Sequence, residues 1–541
     1  MQAQQIIRAG SAGVLAGALV AFLSVSGRPV FASGQTPAPA TSLARSGSEP
    51  GQPAAQAPAA TTRRLTVDDA VAMALESNLG IQAERLSPQI QDFSVAQARA
   101  AYAPVLNAGF SRTSDTSQRQ NQFEAPNPTV SNVGFANTTG IQQQLPWLGG
   151  SYTATWQASR SETDSYSSFN PILSSNFTVN YSQPFLRNFQ IDFNRRQVSN
   201  TINLREIADV QLRQNIVMTT RNVRNAYWDL VAAIANLEVA QQALDLARQS
   251  LKDNQTRVEV GTMAPIDIIE AEAEVARNEE SVIVATNSIE RAQDQLRVLI
   301  SNPEQPDFWT MRIEPAEQAV MVPISLDVDA AVGNALDNRG DLVTARRQLD
   351  NTLIDVRYFK NQTMPNVDLN FTYRVSGTGG TLIDYEGFPP LNMGETTTGF
   401  SSVLRNLLDQ SYPRWTIGVQ FAYPIGTSQA EAALAQARLQ QTQAEANLQN
   451  MEMLITTSVR DVARQVTTNQ KRVEATQKAR ELAERRLEAE QKKFNVGLST
   501  TFVVFQLQRD LASQRAREVA AIIDYNKSLV DFEAVQQAPV R

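Results

Sequence analysis

The chain has 541 residues, of which 42% are hydrophobic and 19% charged, and its formal net charge is −7. This mildly acidic balance, without a basic patch, argues against a nucleic-acid binder. There is no cysteine and no histidine, which excludes disulfides, thiol nucleophiles, Ser-His-Asp triads and histidine-ligated metals. We therefore expect no enzyme and no cofactor, although hydrolysis by paired carboxylates stays open as a minor alternative.

The N-terminus has the pattern of a secretory signal peptide. Residues 11–26 form an apolar run that is too short to span a bilayer as a helix, and Ala32 offers a small residue at a cleavage point. We expect residues 1–32 to be removed, the alternative being a buried core helix. Residues 33–64 are rich in Ala, Pro, Ser, Gln and Thr and lack aromatic residues, which predicts a disordered leader.

The rest of the chain repeats one plan twice. The first part of each copy aligns at one constant spacing and the second part at another, and two constant spacings are hard to produce by chance. The sequence therefore predicts a first repeat over 65–300, a linker over 301–325 and a second repeat over 326–541. The matched pairs include Ala74 with Ala335, Pro104 with Pro365, Val223 with Val459, and Val260-Gly261 with Val496-Gly497.

Each repeat begins with a helix that a proline ends, followed by a region of strands. The strand residues alternate between polar and apolar, as in Phe177, Val179 and Tyr181. This pattern is typical of a membrane barrel and equally of a half-buried soluble sheet. The expected helices are 66–101 and 327–362, and the expected strands are 105–115, 136–146, 151–160 and 176–183, then 366–376 and 414–423.

A second proline, Pro184 or Pro424, marks each strand-to-helix turn, and a long helix follows over 193–260 or 428–496. About 67 residues at 1.5 Å rise give a rod of roughly 100 Å. Apolar residues recur every seven positions, as in a coiled coil. A parallel alanine line at 226, 233, 240 and 247 indicates either packing on a second side or only high helix propensity.

Each rod ends at a glycine suited to a left-handed cap, after which a return helix runs over 264–300 or 499–537. These hairpin tips are Val260, Gly261 and Thr262 in the first repeat, and Val496, Gly497 and Leu498 in the second. Pro265 suits the first turn of the first return helix.

This ordered set, in duplicate, resembles the TolC-like outer-membrane factor family over about residues 65–537. The closest motif matches are Ser182-Gln-Pro-Phe-Leu-Arg187 at the entry to the first rod and the paired tips. The resemblance implies a mainly α protomer with β-strands, built from two tandem repeats. Its long coiled-coil helices would form an α-helical barrel, and its strands would join a shared trimeric transmembrane β-barrel.

The resemblance further implies a passive channel in the outer membrane with a long periplasmic portion. Its partners would be two further copies, outer-membrane lipid, a periplasmic adaptor protein and an inner-membrane transporter for efflux or type I secretion. The six tip residues would contact the adaptor. The extra hairpin around 145–150 is expected to be an extracellular or lumenal elaboration.

In the family, acidic residues six and nine positions past the tip glycine line a periplasmic gate, usually in the second repeat. Here Asp267 and Glu270 occupy those positions in the first repeat, whereas the second has Val503 and Gln506. The alternative is that both acids only stabilise the first turn of a helix. For the whole chain, the competing function is a secreted structural or adhesive coiled-coil protein.

Overall fold

The computed structural model describes residues 62–121, 123–303, 308–387, 390–426 and 428–537. The expected signal peptide and the leader up to residue 61 lie outside the described residues. Residues 62–64, assigned to that leader by composition, instead belong to strand β1 (Thr62–Leu65). This strand pairs in parallel with β6 (Arg312–Pro315) inside the expected linker. Leu65 is buried in the core, which anchors this strand.

The helices and strands follow the order expected for a duplicated chain, with more elements than expected. The helices are α1 (Val67–Ser77), α2 (Leu79–Glu84), α3 (Leu86–Ala100), α4 (Phe193–Glu259), α5 (Ile266–Ile300), α6 (Val328–Asn338), α7 (Gly340–Gln362), α8 (Phe400–Leu408), α9 (Gln429–Asn495) and α10 (Thr501–Gln536). The other strands are β2 (Val105–Gln118), β3 (Thr129–Gln144), β4 (Ser151–Thr163), β5 (Phe169–Pro184), β7 (Asn366–Glu386), β8 (Leu391–Thr398) and β9 (Pro413–Ala422).

The helix expected at the start of each repeat is broken. In the first repeat the side chain of Asn78 accepts a hydrogen bond from the backbone N–H of Ile81 and caps a new helix. In the second repeat Arg339 adopts an extended conformation between α6 and α7. The apolar pattern continues across both breaks, and for that reason it predicts a single helix in each copy.

The long helices α4 and α9 each contain 67 residues and lie within one residue of their expected ranges. Asp192 caps α4 by accepting from the N–H of Arg195. Ser428 caps α9 in a reciprocal capping box with Glu431. A side-chain cap therefore defines the first residue of each long helix, and a glycine in the left-handed conformation follows its last turn.

The duplication is visible in the packing. In each repeat the first short helix packs on the long helix next to a return helix, and matched residues occupy the same place in the two cores. Ala74 and Val223 are buried in the first core, and Ala335 and Val459 in the second. One ancestral packing arrangement has therefore been kept twice in one chain.

Both seams of α4 are used for packing. Val223, Leu230 and Leu244 of the heptad line are buried. So are Ala226, Ala233 and Ala247 of the alanine line. The helix contacts α5 and α10 as well as α3 and α7. Ala226 and Ala233 lie in the same core as Val223 and Leu230, because residues three or four positions apart share one face of a helix. The small side chains therefore widen one packed face of α4.

Six strands lie side by side in the order β2, β3, β4, β5, β7 and β9, all antiparallel to their neighbours. The pairing register places one apolar residue of each strand beside one apolar residue of the next, and these residues form a row across all six strands. The residues of this row are Leu106, Ile141, Ala154, Val179, Tyr373 and Trp415. We refer to the side of the sheet that carries this row as the apolar face.

The next row lies on the opposite side of the sheet, because successive side chains of a strand point to opposite faces. Its residues are Asn107, Gly140, Thr155, Thr178, Arg374 and Arg414. This polar face contains no large apolar side chain in that row. In these two rows, each of the six strands therefore places an apolar residue on one side and a polar residue or glycine on the other.

Strand β8 and helix α8 were not expected from the sequence. The upper part of β7 is Gly- and Thr-rich and pairs with β8, and α8 then crosses back over the apolar face. Val403 of α8 is fully buried against Gly377 and Gly379 of β7. A side chain at Gly377 would meet the backbone oxygen of Val403 at 2.4 Å, so only glycine permits this close packing.

Within the described ranges, none of the helices combines the length and the apolar character that a transmembrane helix requires.

Candidate functional site: the helix-hairpin tips

The two hairpin tips share one backbone geometry. In the first, the N–H of Thr262 donates to the carbonyl of Arg257 at 2.8 Å, and the N–H of Gly261 donates to that of Val258 at 3.0 Å. In the second, Leu498 donates to Lys493 at 2.9 Å, with the equivalent Gly497 bond at 3.0 Å. This pair of bonds defines a Schellman motif, which requires a left-handed residue after the helix.

Glycine meets that requirement at both tips. Gly261 and Gly497 each have φ +77, and a Cβ added at either would meet no atom within 4 Å. A substitution would therefore be strained by backbone conformation and not by crowding. Val260, Val496 and Leu498 are about 70% exposed or more. The tips thus present rigid backbone and bare apolar side chains to the surroundings.

The tips touch each other through Arg257. Its guanidinium donates to the side-chain oxygen of Asn495 at 2.8 Å. It also lies 4.6 Å from the ring centroid of Phe494, a cation–π distance. The ends of α4 and α9 are therefore joined, and a cavity of about 260 Å³ lies between these ends and the start of α10. Motif spacing alone gave no sign of this contact.

The residues expected at the gate lie in different environments. Asp267, in the first turn of α5, accepts a hydrogen bond from the hydroxyl of Thr501 at 2.8 Å. Glu270 and Gln506 are exposed. Val503 is half-buried against the small apolar cluster of α9 and α10 that contains Val504. Asp267 thus links the two hairpins, and among these four residues Glu270 is the exposed carboxylate.

A second acidic residue, not singled out by sequence, connects the same helices. Glu274 is 4% exposed, and it accepts from Arg277 of its own helix at 3.1 Å and from Arg509 of α10 at 2.9 Å. A buried carboxylate is tolerated when it is paired in this way. Together with Asp267, it forms a line of polar contacts between α5 and the start of α10.

The tip of the second hairpin is also braced by charge. Glu490 accepts from the hydroxyl of Ser499 at 2.6 Å and from the ammonium of Lys493 at 3.0 Å. These two partners, the serine first, hold the pKa of the Glu490 carboxyl below its usual value. The tip loop is therefore fastened to the last turns of α9.

The two strand-to-helix turns differ in their surroundings. Pro184 is buried at the end of β5, and the next residue, Phe185, donates its N–H to the carbonyl of Val367 at 2.9 Å. Pro424 is exposed and is followed by Ile425, which is 100% exposed. The first turn is thus built into the protomer, whereas the second lies at its surface.

The turn at 145–150, expected as an extracellular or lumenal elaboration, packs on other parts of the protomer. The side-chain nitrogen of Gln183 donates to the carbonyl of Leu148 at 2.7 Å, and Asn194 of α4 donates to Gln144 at 2.7 Å. A side chain at Gly149 would collide with the carbonyl of Asn188. The turn therefore packs on the junction between β5 and α4, at the helical end of the sheet.

A tyrosine near this junction has an altered acidity. Burial is the main cause that raises the pKa of Tyr102 to about 12, and the charge of nearby Asp192 adds to it. Asp192 is 4% exposed and is held by the guanidinium of Arg195 at 2.8 Å. Tyr102 is therefore a neutral phenol at physiological pH.

Comparison with known proteins gives a consistent picture. The family model described as outer membrane efflux protein matches residues 140–302 and 331–535. The outer membrane protein TolC of Escherichia coli K12 is 22% identical over 317 residues, which are 57% of this chain and 60% of TolC. The chain thus spans less than two thirds of the length of that relative.

Solved structures match over more of the chain. The outer membrane protein VceC of Vibrio cholerae superposes with a TM-score of 0.60 at 17% identity, covering 87% of this chain and 96% of VceC. The structure of CusC, reported in connection with transmembrane channel formation, gives 0.62 at 14% identity, covering 87% and 92%. At these identities the matches establish the fold.

Proposed function

The chain belongs to the outer membrane efflux protein family, and from that premise we propose that it is the outer-membrane channel of a tripartite efflux or type I secretion system. Three copies form a passive conduit with a long periplasmic portion. Cargo enters from an adaptor and an inner-membrane transporter and leaves at the cell exterior. The protein itself does no chemistry.

The main support for this proposal is that one long helix, α4, separates the sheet from the hairpin tips. Helix α4 follows the six-stranded sheet at its first residue and reaches a glycine tip at its last. Its 67 residues span roughly 100 Å. A sheet with one apolar side suits a lipid environment, and the exposed tips at the far end suit a protein partner.

We assign adaptor docking to the two tips, Val260-Gly261-Thr262 and Val496-Gly497-Leu498. Two identical Schellman motifs with exposed apolar residues give a rigid, repeated surface that costs little ordering entropy on binding. The periplasmic gate is assigned to the first turns of α5 and α10 behind these tips. There Glu270 and Gln506 are exposed, while Asp267 is tied to Thr501.

The test is fractionation followed by transport. The proposal predicts a heat-modifiable trimer in the outer-membrane fraction, and loss of efflux or export when the gene is deleted. Plasmid-borne protein should restore transport. Recovery of the chain in the soluble exported fraction, without a trimer, would instead favour a secreted structural or adhesive coiled-coil protein.

A further inference from the structure

We propose that three copies of this chain close a barrel of 18 strands, in which the six strands β2, β3, β4, β5, β7 and β9 of each copy form the wall. This inference rests on the proposed function and specifies the pore of that channel. The duplicated plan alone suggests two strands per repeat, or four per copy. The difference lies in the hairpin β3–β4.

The first support is the continuous apolar row. It passes through Ile141 of β3 and Ala154 of β4 without interruption, and Trp156 stands beside it on the same face. A hairpin surrounded by water on both sides would have no need of an apolar side. On the other side, Gly140 and Thr155 continue the polar row. Both strands therefore have the two-sided composition of a barrel wall.

The second support is the length and position of the hairpin. β3 and β4 pair without a bulge from Asn132–Thr163 to Gln144–Ser151. A membrane-spanning strand needs only about 9–11 residues. The turn between them lies on the β5–α4 junction, as the bond from Gln183 to Leu148 shows. The hairpin thus runs the full height of the sheet beside β2 and β5.

The third support is the pair of free edges. Every residue of β2 and β9 is exposed, and among the described strands none pairs with the outer edge of either. Neither strand has a proline in its interior, and β9 has no charge after Arg414. Natural proteins usually protect long edges of this kind, so an unprotected edge indicates pairing with another strand.

The occupant that fits both edges is a second copy of the same chain. β2 and β9 run in opposite directions, because an even number of antiparallel strands separates the two edges. The β9 edge of one copy can therefore pair antiparallel with the β2 edge of the next, and the apolar faces join into one belt. Three copies of six strands give an even count, as bacterial barrels have.

The number of strands sets the width of the pore. At a strand spacing of about 4.8 Å and a tilt of about 40°, 18 strands give a backbone diameter of about 36 Å, against about 24 Å for twelve. The cross-section is then roughly twice as large. The outer-membrane part would therefore pass cargo too wide for a twelve-stranded barrel.

The experiment uses the natural absence of cysteine. Single-cysteine variants A154C and T155C of β4 are compared with the matched pair I417C and T416C of β9, as assembled trimers in liposomes. We expect the apolar-face positions 154 and 417 to resist a water-soluble maleimide and to react with a membrane-soluble one. Positions 155 and 416 should react with the water-soluble probe at least tenfold faster than their neighbours.

The outcomes separate the two proposals. If 154 and 155 react equally with the water-soluble probe while 416 and 417 alternate, the chain is a membrane channel and the 18-stranded wall is wrong. If neither pair alternates and no trimer assembles, the proposed function itself fails. Electron-microscopic images of the unmodified trimer give a check free of substitutions, in which 18 strands support the inference and twelve overturn it.

Discussion

The hydroxyl of Thr501 donates a 2.8 Å hydrogen bond to Oδ1 of Asp267, and this bond joins the first turns of two return helices from different repeats. Thr501 is 6% exposed. The bond therefore forms where water competes little, and the acid that sequence comparison placed at the gate is held by a neighbour. In a channel that opens by separating its helices, such a bond favours the closed state.

Replacing Thr501 with valine should make the channel leak. The two side chains have nearly the same shape, so the change removes one hydrogen bond worth about 1 kcal/mol. We expect the open fraction of reconstituted trimers in planar bilayers to rise about fivefold for each such bond that opening must break, and a trimer contains three. Thr500→Val is the matched control, since Thr500 makes no side-chain capping bond. An unchanged open fraction in T501V would show that the hydrogen bond between Thr501 and Asp267 does not hold the channel closed.

The double substitution Gly261→Asp with Gly497→Asp should abolish export while leaving the trimer intact. Aspartate at φ +77 is strained by about 1 kcal/mol or more at each tip and adds a charge to the docking surface. Trimer yield and transport are measured together. Gly333→Asp, on the exposed surface of α6, controls for the added charge. Normal export by a correctly assembled double mutant would refute the proposal that the adaptor docks at the tips.

Asn361→Leu should destabilise the junction between sheet and helix. The Asn361 side chain accepts from the N–H of Asn188 at 2.7 Å and donates to the carbonyl of Leu186 at 3.1 Å. Leucine would take this partner from the N–H of Asn188, at a cost of about 1–3 kcal/mol, whereas the carbonyl of Leu186 keeps its bond from the N–H of Phe189. We expect a clear fall in melting temperature, seen by circular dichroism. Asn338→Leu, at an exposed position, should change it little.

Glu484→Gln should weaken the α9–α10 pair in a pH-dependent manner. Hydrogen bonds from Arg515 first, and then from Arg480, lower the pKa of the Glu484 carboxyl below its ordinary value. A lowered pKa means that the ionised group stabilises the fold above its unfolded pKa and loses this effect as pH falls through the folded value. Because Glu484 is partly exposed, the effect is about 1 kcal/mol or less.

The measurement compares unmodified protein and E484Q by thermal unfolding at pH 7 and at pH 3. The difference in stability should be present at pH 7 and shrink toward pH 3. Glu481→Gln, an exposed neighbour on the same helix, is the control. A difference that stays constant with pH would show that the carboxylate charge does not contribute.

The sequence predicts the helical rods well because their signals are local and repeated. Heptads define α4 and α9, and the prolines and glycines define their ends. The Gly-rich second half of β7 and the short helix α8 are not predicted by such local signals. A glycine such as Gly377 is required there because α8 packs closely against it, and the sequence around Gly377 does not show this contact. The sequence predicts the strands β3 and β4, but not the packing of their turn, which depends on contacts with Gln183 and Asn194.

The sequence predicts the tip glycines of the candidate site but not the side-chain bonds between the hairpins. A tip glycine is visible in sequence because backbone conformation selects the residue. The bonds Arg257–Asn495, Thr501–Asp267 and Arg509–Glu274 join residues more than 200 positions apart. Neither periodicity nor motif spacing carries information about such pairs.

The two Schellman tips share a backbone but not a sequence, since Thr262 in one corresponds to Leu498 in the other. In a threefold assembly this produces six tips of two alternating kinds. A ligand protein that reads only the common backbone would bind with six copies per channel, and one that distinguishes threonine from leucine would bind with three. Under the proposed docking role, the difference between Thr262 and Leu498 would decide how many partner molecules one channel binds.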